Sequence, residues 1–140
     1  MTKTYHGSCT CGAIRFACDL DLSAGTTRCN CSFCKKARLW FAQAKGEDAL
    51  RVTRGADQLV DFQRTPPGKP EPYLHLYFCR TCGVRPFSKG GSGPHGPAFY
   101  AVNLCALDDA SDAELAAAPI HYADGAHDNW KQAPAVHSYL

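Results

Sequence analysis

Short apolar or alternating runs recur along the chain at residues 13–18, 39–44, 50–53, 59–63, 73–78, 84–88 and 99–104, each of strand length. Glycine or proline punctuates the gaps, as in Lys45-Gly46, Arg54-Gly55, Pro66-Pro67-Gly68 and Gly90-Gly91-Ser92-Gly93-Pro94. Regular short strands with such turn signals predict a mainly β domain. One helix is expected at 111–118, where Ser111 and Glu114 have capping-box spacing, Leu115 and the alanines propagate the helix, and Pro119 stops it. It is short and should lie at the periphery. The stretch from Ile120 to Trp130 sets aromatic anchors among turn formers and reads as a segment folding back onto the sheet.

Composition narrows the class. With 140 residues, the chain suits a single domain spanning 1–140. Its 15 basic and 13 acidic residues are mixed along the length, so the net charge of +2 provides no field to hold a polyanion, which argues against nucleic acid as partner. The first ten residues lack the apolar stretch of a secretory signal, and no window approaches the roughly 20 apolar residues of a membrane span, so a cytoplasmic location is expected. In that reducing compartment nine cysteines do not read as a disulfide framework. Metal binding is the leading explanation.

Seven of the nine cysteines form three tight groups: Cys9-Thr10-Cys11, Cys29-Asn30-Cys31-Ser32-Phe33-Cys34 and Cys79-Arg80-Thr81-Cys82. Residues i and i+2 of an extended chain point to one side, and a Cys-x-x-Cys turn wraps two sulfurs round one ion. Two distant pairs, Cys9 with Cys11 and Cys79 with Cys82, would together complete a closed, four-coordinate structural zinc. Cys29, Cys31 and Cys34 then remain as three thiolates with a vacant fourth position, the usual arrangement of a catalytic zinc, giving two zinc ions per chain. Another pairing adds one cysteine of the 79/82 pair to the central group, and Cys105, His6, His75 or His95 are alternative closers of the second site. Cys18, in line with Ile14 and Phe16, reads as a core residue.

With these groups, the sequence resembles the glutathione-dependent formaldehyde-activating enzyme family, whose domain is shared with centromere protein V. The resemblance is carried by residues 6–16, the run Cys29 to Lys36, Phe78 to Val84, Ala101 to Leu104, His121 to Gly125 and Asn129-Trp130. It implies a mainly β fold of the β-tent kind. It also implies a structural zinc on Cys9, Cys11, Cys79 and Cys82, a catalytic zinc on Cys29, Cys31 and Cys34, and the joining of formaldehyde to glutathione, a carbon–sulfur lyase reaction in reverse. The Gly- and Pro-rich loop 88–97 and the tail beyond Trp130 depart from the family pattern and bear on substrate identity.

The donor set itself favours sulfur chemistry. Three thiolates leave a zinc ion formally at −1, so it is a poor hydroxide generator, yet a thiol bound there loses its proton and stays nucleophilic toward an electrophilic carbon. The expected partners are therefore a small-molecule thiol and an aldehyde. Lys35, Lys36 and Arg38 follow the central group and are candidate contacts for substrate carboxylates, with Arg85 of similar standing. Trp40 and Phe41 are either core or cleft lining, and His121, Asp124 and Trp130 are expected to pin the tail. The competing reading is a non-catalytic zinc module that binds a protein or nucleic acid through Arg28, Lys35, Lys36 and Arg38.

Overall fold

The computed structural model describes residues 1–91 and 93–140; Ser92, within the expected loop 88–97, lies outside the described residues. The chain is mainly β. In order it forms β1 (Lys3–Ser8), β2 (Arg15–Leu20), β3 (Thr26–Cys29), helix α1 (Ser32–Ala37), β4 (Phe41–Lys45), β5 (Leu50–Arg54), β6 (Leu59–Arg64), β7 (Leu74–Cys79), β8 (Phe87–Gly90), β9 (Phe99–Asn103), helix α2 (Asp112–Ala117) and β10 (Ile120–Ala123). A three-stranded sheet has the order β1-β2-β5, and a seven-stranded sheet the order β10-β3-β4-β9-β8-β7-β6. Neighbours are antiparallel except β10, which runs parallel to β3 with Ala123 opposite Cys29.

The core lies where the two sheets meet. Phe16, Cys18 and Leu20 alternate along β2 and join Ala42 and Ala44 of β4, Phe87 of β8 and Tyr100 and Val102 of β9 in one buried cluster. Phe16 meets Phe87 edge-on with ring centroids 5.3 Å apart, and Phe87 meets Tyr100 in the same way at 6.2 Å. These offset contacts suit the aromatic quadrupole. Gly7 lets β1 cross this cluster closely, since a Cβ there would stand 2.3 Å from the Phe16 ring.

Helix α2 has its expected ends. Ser111 and Glu114 form the reciprocal capping box, and Ala118 caps the C-terminus before Pro119. Glu114 also accepts from Lys3 Nζ at 2.8 Å and Tyr5 Oη at 2.9 Å, which fastens the helix to β1. Lys3, then the Ser111 amide and Tyr5, hold the Glu114 carboxyl down at about 2. The sequence reading anticipates only this helix; α1 is additional and buries none of its residues, so it carries no apolar stripe to betray it. Among the described residues no helix is long and apolar enough to cross a membrane.

Candidate metal centres

Two turns of similar design build the first cluster. After β1, Cys9 N–H donates to Ile14 O at 3.2 Å and Gly12 N–H to Cys9 O at 3.0 Å; after β7, Cys79 N–H donates to Val84 O at 2.9 Å and Gly83 N–H to Cys79 O at 2.8 Å. Each turn closes through a left-handed glycine, Gly12 at φ 76° and Gly83 at φ 75°. The turns bring the sulfurs of Cys9, Cys11, Cys79 and Cys82 within 4.8 Å of one another, a grouping that could hold a metal ion. Cys9 and Cys11 Sγ are 3.6 Å apart, and Cys11 and Cys79 Sγ 3.7 Å. Backbone hydrogen bonds at Cys11 and Val84 lower Cys82 to about 6, whereas desolvation and the thiols of Cys9, Cys79 and Cys82 outweigh the Ala13 backbone bond and raise Cys11 to about 11. Thiols so crowded repel as thiolates, and a central cation removes the conflict. Because Cys9 follows β1 and Cys79 ends β7, the cluster clasps the two sheets together.

The second cluster sits where β3 passes into α1. Cys29 ends the strand, Cys31 is the helix N-cap, and Cys34 is the third helical residue, whose N–H donates to Cys31 Sγ at 3.4 Å. An N-cap side chain turns toward just that amide, so the spacing Cys-x-x-Cys over a helix start gathers the sulfurs. Cys31 N–H donates to Cys29 Sγ at 3.3 Å. The three sulfurs lie within 4.8 Å of one another, and no fourth Cys, His, Asp or Glu donor among the described residues joins them. Hydrogen bonds from Cys29 and Cys34, with the amides of Cys34 and Phe33 behind them, pull Cys31 down to about 2; contact with Cys29 and Cys31 drives Cys34 up. Cys31 and Cys34 face a broad groove on the large sheet, also lined by Phe33, Phe41, Ala123 and Trp130.

The segment after β10 packs beneath the second cluster. A Cβ on Gly125 would lie 2.6 Å from Cys29 Sγ and 2.7 Å from the Trp130 ring, so only glycine fits between them. Asn30, 9% exposed, holds this segment: its Nδ2 donates to Asp124 Oδ1 at 2.7 Å, and its Oδ1 accepts from Ala126 N–H at 2.9 Å. Asn30→Ala is expected to lose about 1–2 kcal/mol of local stability. Hydrogen exchange at the Ala126 amide should therefore accelerate roughly tenfold with global stability little changed; unaltered exchange would show that the Asn30 bonds do not hold the segment.

These arrangements coincide with the match to known sequences. The family profile described as "Glutathione-dependent formaldehyde-activating enzyme" aligns with residues 4–123, which include both clusters. The chain belongs to this family. A crystal structure of a Rhodobacter sphaeroides protein, solved as a structural-genomics target, is 31% identical, with a TM-score of 0.64 over 83% of this chain and 99% of that one.

The other sequence candidates of this family member separate in the structure. Lys35 and Arg38 border the second cluster, together lining a small cavity with Cys29 and Cys34. Lys36 is exposed and lines neither that cavity nor the groove. The Arg85 guanidinium is layered between the rings of Phe33 at 4.8 Å and Phe78 at 5.2 Å, so it ties α1 to the sheet. Trp40 packs on the core and donates to Thr26 Oγ1 at 2.7 Å, while Phe41 lines the groove. Cys18 is wholly buried in the core, and its thiol is pushed up to about 12 by desolvation. His6, His75 and His95 pair with Asp109, Asp61 and Glu71, and with Cys105 they stand outside both clusters. His121 meets the Trp130 carbonyl at 2.9 Å, and Asp124 N–H donates to Gln132 O at 3.0 Å, so these residues do pin the tail. Asn30 and Gly125 emerge only from the fold. Their signal in sequence is position alone, one inside the central cysteine motif and one in the run His121 to Gly125.

Proposed function

We propose that the protein is a zinc-dependent carbon–sulfur lyase that joins or splits a small thiol, such as glutathione, and formaldehyde or a related aldehyde. The observation that carries this reading is the contrast between two cysteine clusters in one member of this family: one has four sulfurs, the other three beside a groove. Tetrahedral zinc with bonds of about 2.3 Å to sulfur sets its ligands about 3.8 Å apart. The sulfur separations of 3.6 and 3.7 Å in the four-cysteine cluster fit that edge. In this reading Cys9, Cys11, Cys79 and Cys82 hold a structural zinc, and Cys29, Cys31 and Cys34 hold the second.

A zinc ion on the three cysteines would supply a fourth position that keeps an incoming thiol deprotonated and nucleophilic. The chain's own part is placement. Amides of Cys31 and Cys34 donate to the ligand sulfurs and fix their direction. Arg64 Nη2 donates to Ser32 Oγ at 3.1 Å and tethers the start of α1 to the rim of the sheet. Phe33, Phe41 and Trp130 line the groove beside the cluster and offer apolar surface that would displace water from a bound substrate. In the forward direction a sulfur–carbon bond forms, the carbonyl π bond breaks, and the proton lost by the thiol ends on the new hydroxyl through solvent.

Because the thiol and formaldehyde combine spontaneously, the test compares rates. Exchange spectroscopy on glutathione and formaldehyde should show acceleration by the wild type that disappears in Cys31→Ser and without protein. Equal rates in all three, for glutathione and for a panel of other cellular thiols, would overturn the proposal.

A further inference from the structure

Beside the second cluster, Cys29, Cys34, Lys35, Arg38, Leu39 and Leu140 line a cavity of about 10 Å³. Such a space holds about one water, so the C-terminal segment already fills this flank of the site. The segment is fastened along its length. Asp124 N–H donates to Gln132 O at 3.0 Å and the His137 ring lies 4.3 Å from that of Tyr122, while a turn within the segment, Leu140 N–H to His137 O at 3.0 Å, shapes its end. Two cations grip its tip: Arg38 Nη1 donates to the Tyr139 carbonyl, and Lys35 Nζ stands 5.7 Å from the Tyr139 ring centre. Among the described residues neither cation is paired with a carboxylate.

We propose that the strap 131–140 is a built-in competitor, in which Tyr139 and Leu140 occupy the cationic subsite that a carboxylate-bearing thiol would use. The inference rests on reading the three-cysteine cluster as a thiol site. A guanidinium bound to one neutral carbonyl gains by exchanging it for a carboxylate, because charge-assisted hydrogen bonds are about twice as strong. An anionic thiol therefore binds by displacing the strap. A small neutral thiol reaches Cys31 and Cys34 from the groove and leaves the strap in place. If the strap is open for about a tenth of the time, apparent affinity for the anionic thiol falls about tenfold. The strap lies beyond the residues 4–123 that match the family.

The test is calorimetric titration of the zinc-loaded protein with glutathione and, separately, with 2-mercaptoethanol. A chain lacking residues 133–140 and a full-length Tyr139→Ala/Leu140→Ala variant are compared with wild type, and zinc content is measured alongside. Each variant should bind glutathione roughly tenfold more tightly and 2-mercaptoethanol within about twofold of wild type. Adding Arg38→Gly should erase the gain. Arg38 caps α1 at φ 55°, a conformation glycine adopts freely, so this change removes the guanidinium and keeps the turn. Should the truncated chain fail to fold, the double substitution decides. Unchanged glutathione affinity, or equal tightening toward the two thiols, would overturn the strap while leaving the thiol site standing. Absence of binding of either thiol to every zinc-loaded form would overturn the thiol reading and the strap with it.

Discussion

Cys79→Ser is expected to abolish the folded state, whereas Cys31→Ser leaves it standing. Cys79 is fully buried at the end of β7, and its sulfur meets Cys11 Sγ at 3.7 Å across the seam between the sheets. Structural zinc contributes on the order of 10–16 kcal/mol in small domains, comparable with the whole stability of about 5–15 kcal/mol of a typical protein. With zinc on the four cysteines, as proposed, losing one ligand would also leave three crowded sulfurs around a weakened ion. Cys31 stands in a different situation: it is the N-cap of a short surface helix, and serine is a good N-cap. The circular dichroism of Cys79→Ser should be that of an unfolded or precipitated chain. Cys31→Ser should melt within a few degrees of wild type with one zinc fewer. Equal damage from the two substitutions would overturn the division between a structural and a functional cluster.

Phe87→Ala should be the most costly single change away from the cysteines. Its ring, 3% exposed, touches Phe16 at 5.3 Å, Tyr77 at 5.5 Å and Tyr100 at 6.2 Å between centroids, so it joins the two sheets and bridges β7, β8 and β9. Truncating a buried phenylalanine costs about 3–5 kcal/mol, through lost transfer energy and an unfilled cavity. At roughly 3 °C per kcal/mol for a chain of this size, the midpoint should fall by about 10–15 °C. Phe62 on the edge strand β6 is 50% exposed, and its alanine variant should shift the midpoint by no more than about 2 °C. Similar shifts for the two variants in a thermal melt would mean that the inter-sheet aromatic cluster does not carry the stability assigned to it.

Elements with a strong two-residue alternation are visible in the sequence, and those whose inward residues are small or polar are not. β2, β4, β5, β6, β7, β8 and β9 each overlap an expected run, because residues such as Phe16, Leu50, Leu76 and Val102 stand out. β1 is hidden: of Lys3 to Ser8 only Tyr5 and Gly7 are buried, and a glycine gives no apolar signal. β10 has one buried residue, Ala123, and runs parallel beside β3, a pairing that no turn announces. At the candidate metal centres each tight cysteine group is legible because its spacing is local, whereas joining the Cys9/Cys11 pair to the Cys79/Cys82 pair, 68 residues apart at Cys11 and Cys79, rests on counting four ligands and leaves another pairing open until the fold is seen. Asn30, Gly125 and the strap were illegible for the opposite reason: each acts through contacts 90 or more residues away, as in the pair Asn30 and Asp124 at a separation of 94.

That separation has a consequence during synthesis. The four-cysteine clasp has all its ligands once Cys82 has been made, but the support beneath Cys29 arrives only with Asp124, Gly125 and Ala126. The intervening 44 residues, from Cys82 to Ala126 (126 − 82), take about 2–9 s at ribosomal rates of about 5–20 residues per second. Through that interval, in which β8 and β9 are added between β7 and β4, Cys29, Cys31 and Cys34 remain uncovered thiols, open to oxidation. The groove-facing cluster is thus the first of the two to be complete along the chain and the last to be covered.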